Sequence, residues 1–191
     1  MKLAGAFFLL LGVPYAAGQT FSEFPVSTNA GPAGITAGPD GNVWFTEYRI
    51  PGNKIGRITP EGVITEFRLP APSSHPLVIT TGPDGALWFT EDRGPNQIAR
   101  ITTSGELTEF GSLGEESNPY GIATGPDGAL WFTEDVGNKI GRITTSGTIT
   151  QFPLPACEGC NDFSSGEPGN IVLGPDGDVP GSVVRRCIVT P

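Results

Sequence analysis

Basic residues are scarce in this chain: 11 Lys and Arg stand against 20 Asp and Glu, a formal net charge of −9. That balance repels phosphate backbones and anionic headgroups, so nucleic acid and a charged membrane surface are excluded as partners. Histidine occurs once, at His75, and cysteine three times, at Cys157, Cys160 and Cys187. One C-x-x-C pair offers too few soft ligands for a zinc site. In an exported chain Cys157 and Cys160 could close a tight disulfide, leaving Cys187 odd. A helical apolar pattern of ten or more residues is missing after the first 18 residues. Missing too are a G-x-S-x-G elbow, an H-E-x-x-H helix, a phosphate-binding glycine loop and the spaced acidic ligands of an EF-hand. Common hydrolase, zinc-protease, nucleotide and calcium-loop chemistries are therefore excluded.

Long apolar runs are limited to one. Lys2 precedes Leu3 to Val13, and Ala16-Ala17-Gly18 follows with small residues at cleavage spacing. The run is too short to cross a hydrocarbon core of about 30 Å as a helix. It reads as a signal peptide over residues 1–18, cut before Gln19. The expected mature protein is extracytoplasmic, periplasmic or secreted, with no membrane contact after cleavage.

What the chain has in abundance is repetition. Gly-Pro-Asp-Gly begins at Gly38, Gly82, Gly125 and Gly174, at spacings of 44, 43 and 49. Trp-Phe-Thr-Glu begins at Trp44, Trp88 and Trp131, and Ile-x-Arg-Ile-Thr at Ile55, Ile98 and Ile140. Thr65-Glu66-Phe67 returns as Thr108-Glu109-Phe110 and Thr150-Gln151-Phe152. In the first unit these blocks predict strands at 34–37, 43–47, 53–59 and 63–67. Asp-Gly and Glu-Gly turns join them, because such pairs tolerate positive φ. Four short strands in a period of about 43 residues predict an all-β fold, a β-propeller of four-stranded blades. A sandwich would not repeat its sequence at blade length.

The expected blades cover about 31–70, 75–112 and 118–155, with a partial fourth over 167–177 and an off-pattern tail over 178–191. Phe21-Ser22-Glu23-Phe24-Pro25 resembles a fourth strand without its blade, the kind of segment that closes a ring from the other end of the chain. After Gly177 the pattern stops abruptly. That predicts a truncated or frame-shifted propeller. A divergent fourth blade closing a small ring, or self-association of two chains into one ring, is the alternative.

The recurring Glu47, Glu91 and Glu134 close the second strand of each unit. Carboxylates around one rim could hold a hard cation such as Mg²⁺. They could equally pair with Lys or Arg of the next strand, where Arg57, Arg100 and Arg142 recur in step. His75 has the intrinsic pKa of a general base, or is an exposed loop residue beside Pro76. Tyr120 either lines a ligand pocket or fills the inner core.

Taken together, Pro-x-Gly-Ile-Thr, Gly-Pro-Asp-Gly-x-x-Trp-Phe-Thr-Glu and Asn-Lys-Ile-Gly-Arg-Ile-Thr-x-x-Gly resemble the virginiamycin B lyase (streptogramin lyase) family, from Phe21 to about Gly177. The resemblance implies a seven-bladed propeller and a Mg²⁺-dependent carbon–oxygen lyase that opens a cyclic depsipeptide ester by elimination. It implies a histidine base directly after a blade-opening proline. It implies metal ligands at the glutamate of Trp-Phe-Thr-Glu and at a glutamate before that proline. In this chain Glu47, Glu91 and Glu134 match the first ligand. Ala33, Leu77 and Tyr120 stand at the base position, and Gly31, His75 and Asn118 at the second-ligand position. Tyr120 resembles a substrate-lining tyrosine of the family. The alternative function is a non-catalytic extracytoplasmic propeller that binds a small-molecule or peptide ligand.

Overall fold

A computed structural model describes residues 22–26, 30–49, 53–94, 96–154 and 171. The leader, the three cysteines and all of the fourth unit but Ile171 lie outside the described residues. Twelve strands form three four-stranded antiparallel sheets, with no helix among the described residues. Blade 1 holds β1 (Pro32–Ala37), β2 (Val43–Glu47), β3 (Lys54–Ile58) and β4 (Ile64–Arg68). Blade 2 holds β5 (Pro76–Thr81), β6 (Leu87–Glu91), β7 (Gln97–Ile101) and β8 (Leu107–Phe110). Blade 3 holds β9 (Pro119–Thr124), β10 (Leu130–Glu134), β11 (Lys139–Ile143) and β12 (Ile149–Pro153). Each strand pairs only with its sequence neighbours. The expected strand starts are right to within two residues.

The repeated motifs each close one part of a blade. In Gly-Pro-Asp-Gly the last glycine takes positive φ, 76° at Gly41, 73° at Gly85 and 71° at Gly128. That frees the aspartate to cap the strand it precedes. Asp40 Oδ1 accepts from Trp44 Nε1 at 3.0 Å, and Asp84 and Asp127 accept from Trp88 and Trp131 at 2.9 and 3.1 Å. Each indole stacks on the phenylalanine of the outer strand, Trp44 on Phe67, Trp88 on Phe110 and Trp131 on Phe152, with centroids 5.0–5.7 Å apart. These turns and stacks tie strand two to strand four of the same sheet.

The core lies between sheets. Trp44 and Ile55 of blade 1 pack against Ile79, Leu87, Phe89 and Ile101 of blade 2. Trp88 and Ile98 of blade 2 then pack against Ile122, Leu130, Phe132 and Ile143 of blade 3. The threonine of Trp-Phe-Thr-Glu joins the blades. Thr46 Oγ1 accepts from Gly34 N at 2.8 Å and donates to Leu77 O of the next blade at 2.7 Å. Thr90 repeats this with Val78 N at 3.3 Å and Tyr120 O at 2.8 Å. The innermost strands β1, β5 and β9 therefore stand side by side.

Candidate functional site

One end of the blades gathers the residues that sequence singled out. The register places Glu47 opposite Pro32, Glu91 opposite Pro76 and Glu134 opposite Pro119. The residue before each proline is left-handed, with φ 60° at Gly31, 54° at His75 and 50° at Asn118. Glycine, histidine and asparagine are among the residues that tolerate this region. So the end of strand two and the entry to strand one meet at every blade.

The glutamates are not displayed on that rim. Glu47, Glu91 and Glu134 are all fully buried. Glu47 Oε2 lies 3.9 Å from the Lys54 ammonium, which also pairs with Glu66 of β4. Glu91 Oε2 accepts from Gln97 Nε2 at 2.7 Å. Glu134 accepts from Gln151 Nε2 at 2.8 and 3.0 Å and from Ser117 Oγ at 2.9 Å. Burial pushes the Glu91 carboxyl up to about 7, against the hydrogen bonds from Gln97 and Ser74. Burial and then the Glu66 charge push Glu47 up to about 7, with Lys54 opposing.

The expected pairing with Lys or Arg of the next strand holds for Glu47 with Lys54, but not with the recurring Arg57, Arg100 and Arg142. Trp44 is opposite Arg57, whereas Glu47 is opposite Lys54. Positions three apart on a strand face opposite sides, so the arginines and glutamates lie on different faces. The arginines go to the turn aspartates: Arg100 Nε and Arg142 Nε are 2.6 Å from Asp84 and Asp127, and Arg57 is 3.9 Å from Asp40. Lysine, glutamine and serine partner the glutamates instead.

Glu47 Oε1 and Oε2 and Glu91 Oε1 are buried without a hydrogen-bond partner, so two of the three carboxylates keep oxygens open to a cation. Glu134 has its oxygens occupied by amide and hydroxyl donors, and Glu47 and Glu66 already share a lysine ammonium. Among the described residues no group of three or more His, Cys, Asp or Glu could hold a metal ion.

His75 has a partner that sequence did not reveal. Its Nδ1 lies 2.5 Å from Asp92 Oδ1, and both side chains are about 15% exposed. The Tyr48 ring meets it edge-on at 4.8 Å, and its backbone N–H donates to Asn53 Oδ1 at 3.0 Å. The ring is thus held in one orientation, the geometry of a base and its orienting carboxylate. The bland reading of His75 as an exposed loop residue is corrected by this half-buried pair. Tyr120 is 40% exposed while its carbonyl receives Thr90. Its ring is therefore offered to solvent and does not fill the core.

A cleft of about 570 Å³ lies away from His75, between the β8–β9 and β10–β11 connections. Its walls include Leu113, Glu115, Ser117, Val136 and Lys139. Three asparagines that open the third strand of each unit were given no role by the sequence reading. Asn53, Asn96 and Asn138, with φ of 44°, 42° and 49°, donate side-chain hydrogen bonds to Ala71 O, to Gly114 O and Glu115 O, and to Leu154 O. Aligning the units position by position would have found them, since each precedes Lys-Ile or Gln-Ile. The same alignment shows Glu167 before Pro168 at the opening of the fourth unit, a carboxylate outside the described residues.

Residues 15–178 match the model of the virginiamycin B lyase family. The chain belongs to the virginiamycin B lyase family. A virginiamycin B lyase of Bordetella parapertussis is 41% identical over 56 residues, 29% of this chain and 18% of that protein. The solved virginiamycin B lyase of Staphylococcus aureus is 48% identical, with a TM-score of 0.72 over 81% of this chain and 50% of its own. A catalytically inactive histidine-to-alanine variant of the Staphylococcus aureus lyase, solved with quinupristin, is 51% identical with a TM-score of 0.67, covering 76% of this chain and 46% of its own. The chain thus spans about half the length of the solved lyases it matches. Within the family frame, the described blades supply repeat scaffold and rim. Ala33, Leu77 and Tyr120 stand where the sequence resemblance places a base.

Proposed function

We propose that this chain is a lyase-type propeller segment that binds a cyclic depsipeptide ester outside the cytoplasm, and that residues 1–191 do not carry out the elimination themselves. The observation behind the first half is the 48% identity to a virginiamycin B lyase across 81% of the chain. The export-type residues 1–18 support the location.

Elimination at an ester needs a base to take a proton from the carbon next to the one bearing the ester oxygen. The C–O bond then breaks, the carboxylate leaves, and mass is unchanged. Nothing at the position after the blade-opening proline can take that proton. Ala33 and Leu77 have no titratable group, and Tyr120 offers a phenol in place of the imidazole that the resemblance implies. The Mg²⁺ of such chemistry would need ligands from outside the described blades, because no group of three or more His, Cys, Asp or Glu stands together among the described residues. Tyr120 and the His75–Asp92 pair provide an aromatic face and an oriented hydrogen-bonding group for a ligand.

Quinupristin is the probe. Titrated into the full chain, it is expected to quench intrinsic fluorescence saturably, with Tyr120→Ala weakening binding about tenfold. Binding equal in both proteins, or no binding, contradicts the proposal. The second reading, a propeller that binds another ligand and never a depsipeptide, is favoured by the full engagement of Glu134 by Gln151 and Ser117. Absence of quinupristin binding would support it.

A further inference from the structure

The rim repeats one backbone arrangement but changes its side chains from blade to blade. The residue after each buried glutamate donates its N–H to the residue before the blade-opening proline. Tyr48 donates to Gly31 O at 3.2 Å, Asp92 to His75 O at 3.5 Å and Asp135 to Asn118 O at 3.1 Å. One position further on stand Arg49, Arg93 and Val136. The shared backbone bonds serve the scaffold, so the side chains that differ are where a site can be built.

In blade 2 the aspartate at this position meets the histidine of its own blade. In blade 1 there is no side chain at Gly31, and Tyr48 and Arg49 fill the space. A Cβ on Gly31 would lie 2.6 Å from Arg49 Cγ and 3.1 Å from Tyr48 Cε1. The Tyr48 ring reaches across to blade 2 and meets the His75 ring at 4.8 Å, perpendicular to it. Asp92 fixes that imidazole through Nδ1 at 2.5 Å, and so fixes the phenol packed against it. Arg49 Nε donates to the Tyr48 hydroxyl oxygen at 3.3 Å. Both Nη groups of Arg49 and the hydroxyl proton of Tyr48 then remain to donate. Arg49 is exposed and pairs with no carboxylate among the described residues, whereas Arg57, Arg100 and Arg142 pair with turn aspartates and Lys54 with Glu66. Blade 3, with Asn118, Asp135 and Val136 at these positions, has neither the cation nor the ring.

We propose that Tyr48 and Arg49, braced by the His75–Asp92 pair, form a binding site for a carboxylate at the seam of blades 1 and 2. The planar Arg49 fork takes both carboxylate oxygens, and the Tyr48 hydroxyl donates a third hydrogen bond. Tyr48 and Arg49 bind the ligand; His75 and Asp92 are positioning residues that act through the Tyr48 ring. A singly charged carboxylate suits the site better than a phosphate, because a net charge of −9 repels a dianion more strongly. The site does not depend on the depsipeptide reading.

The test titrates the full chain, at low salt, with N-acetylglycine and separately with N-acetylglycinamide, which replaces the carboxylate by a neutral amide. Nuclear magnetic resonance follows the Arg49 Nε–H and the Gly31 backbone amide. The acid should give saturable shifts with a Kd of about 1–10 mM, and the amide should bind at least about tenfold more weakly. Arg49→Gln should weaken binding of the acid at least about tenfold, and Tyr48→Phe, which loses only the hydroxyl, about fivefold. Arg49 is exposed and Tyr48→Phe keeps the ring, so both variants should keep the thermal transition of the parent. Asp92→Ala should weaken binding about threefold, and Asp92→Asn, whose Oδ1 still accepts from the His75 Nδ1–H, should restore it. Equal binding of acid and amide, acid binding indifferent to Arg49→Gln, or no saturable shift up to about 50 mM overturns the proposal. Inorganic phosphate binding about tenfold more tightly than the acid also overturns it, and would make this a phosphate site.

Discussion

Glu91→Gln should flatten the pH dependence of stability. Glu91 is fully buried, and burial raises its carboxyl from 4.5 to about 7 even though Gln97 donates to it at 2.7 Å. A carboxyl with a raised folded pKa favours folding when protonated. Its contribution is full below about 4.5, where both states are protonated, and falls as pH rises toward 7. The unfolded chain there releases a proton that the folded chain keeps. Each pKa unit is worth about 1.4 kcal/mol, so the loss over the window is on the order of 3 kcal/mol. Glu47 adds a loss of the same sign, reduced by the Lys54 ammonium beside it. Urea unfolding at pH 5, 6, 7 and 8 measures this directly. The parent chain should lose stability steadily from pH 5 to 7 and level off above. Glutamine, isosteric with the protonated acid, should remove about half of the slope and be the more stable protein at pH 8. Parallel pH curves for the two proteins would refute the reasoning.

Thr90→Val keeps the shape of a buried threonine but strands Val78 N–H and Tyr120 C=O; a loss of about 2–4 kcal/mol in urea unfolding is expected. Gly105→Ala places a Cβ at φ 94° against the Phe67 ring and should cost about 1–3 kcal/mol by the same assay. His75→Asn should leave stability within about 0.5 kcal/mol, because Asn118 holds the equivalent left-handed position, while quinupristin titration should show weaker binding.

Strands and turns were legible because each unit repeats them in the same order. Val43 to Glu47 is a strand in sequence and in space, and Asp40-Gly41 is a turn in both. The glutamates misled because partner choice depends on which face a side chain occupies. Arg57 is conspicuous in the repeat, yet it stands opposite Trp44, while the true neighbours Lys54, Gln97 and Gln151 vary from unit to unit. His75 looked solitary because Asp92 lies 17 residues away, at the end of the neighbouring strand. Side-chain networks of this kind leave no periodic trace.

The most direct measurement is tandem mass spectrometry of quinupristin after incubation with the full chain and excess MgCl₂. The account predicts that the ligand is recovered with its ring intact, because no base stands after Pro32, Pro76 or Pro119. Ring-opened product at unchanged mass, and its loss in His75→Asn, would contradict the account and make His75 the base.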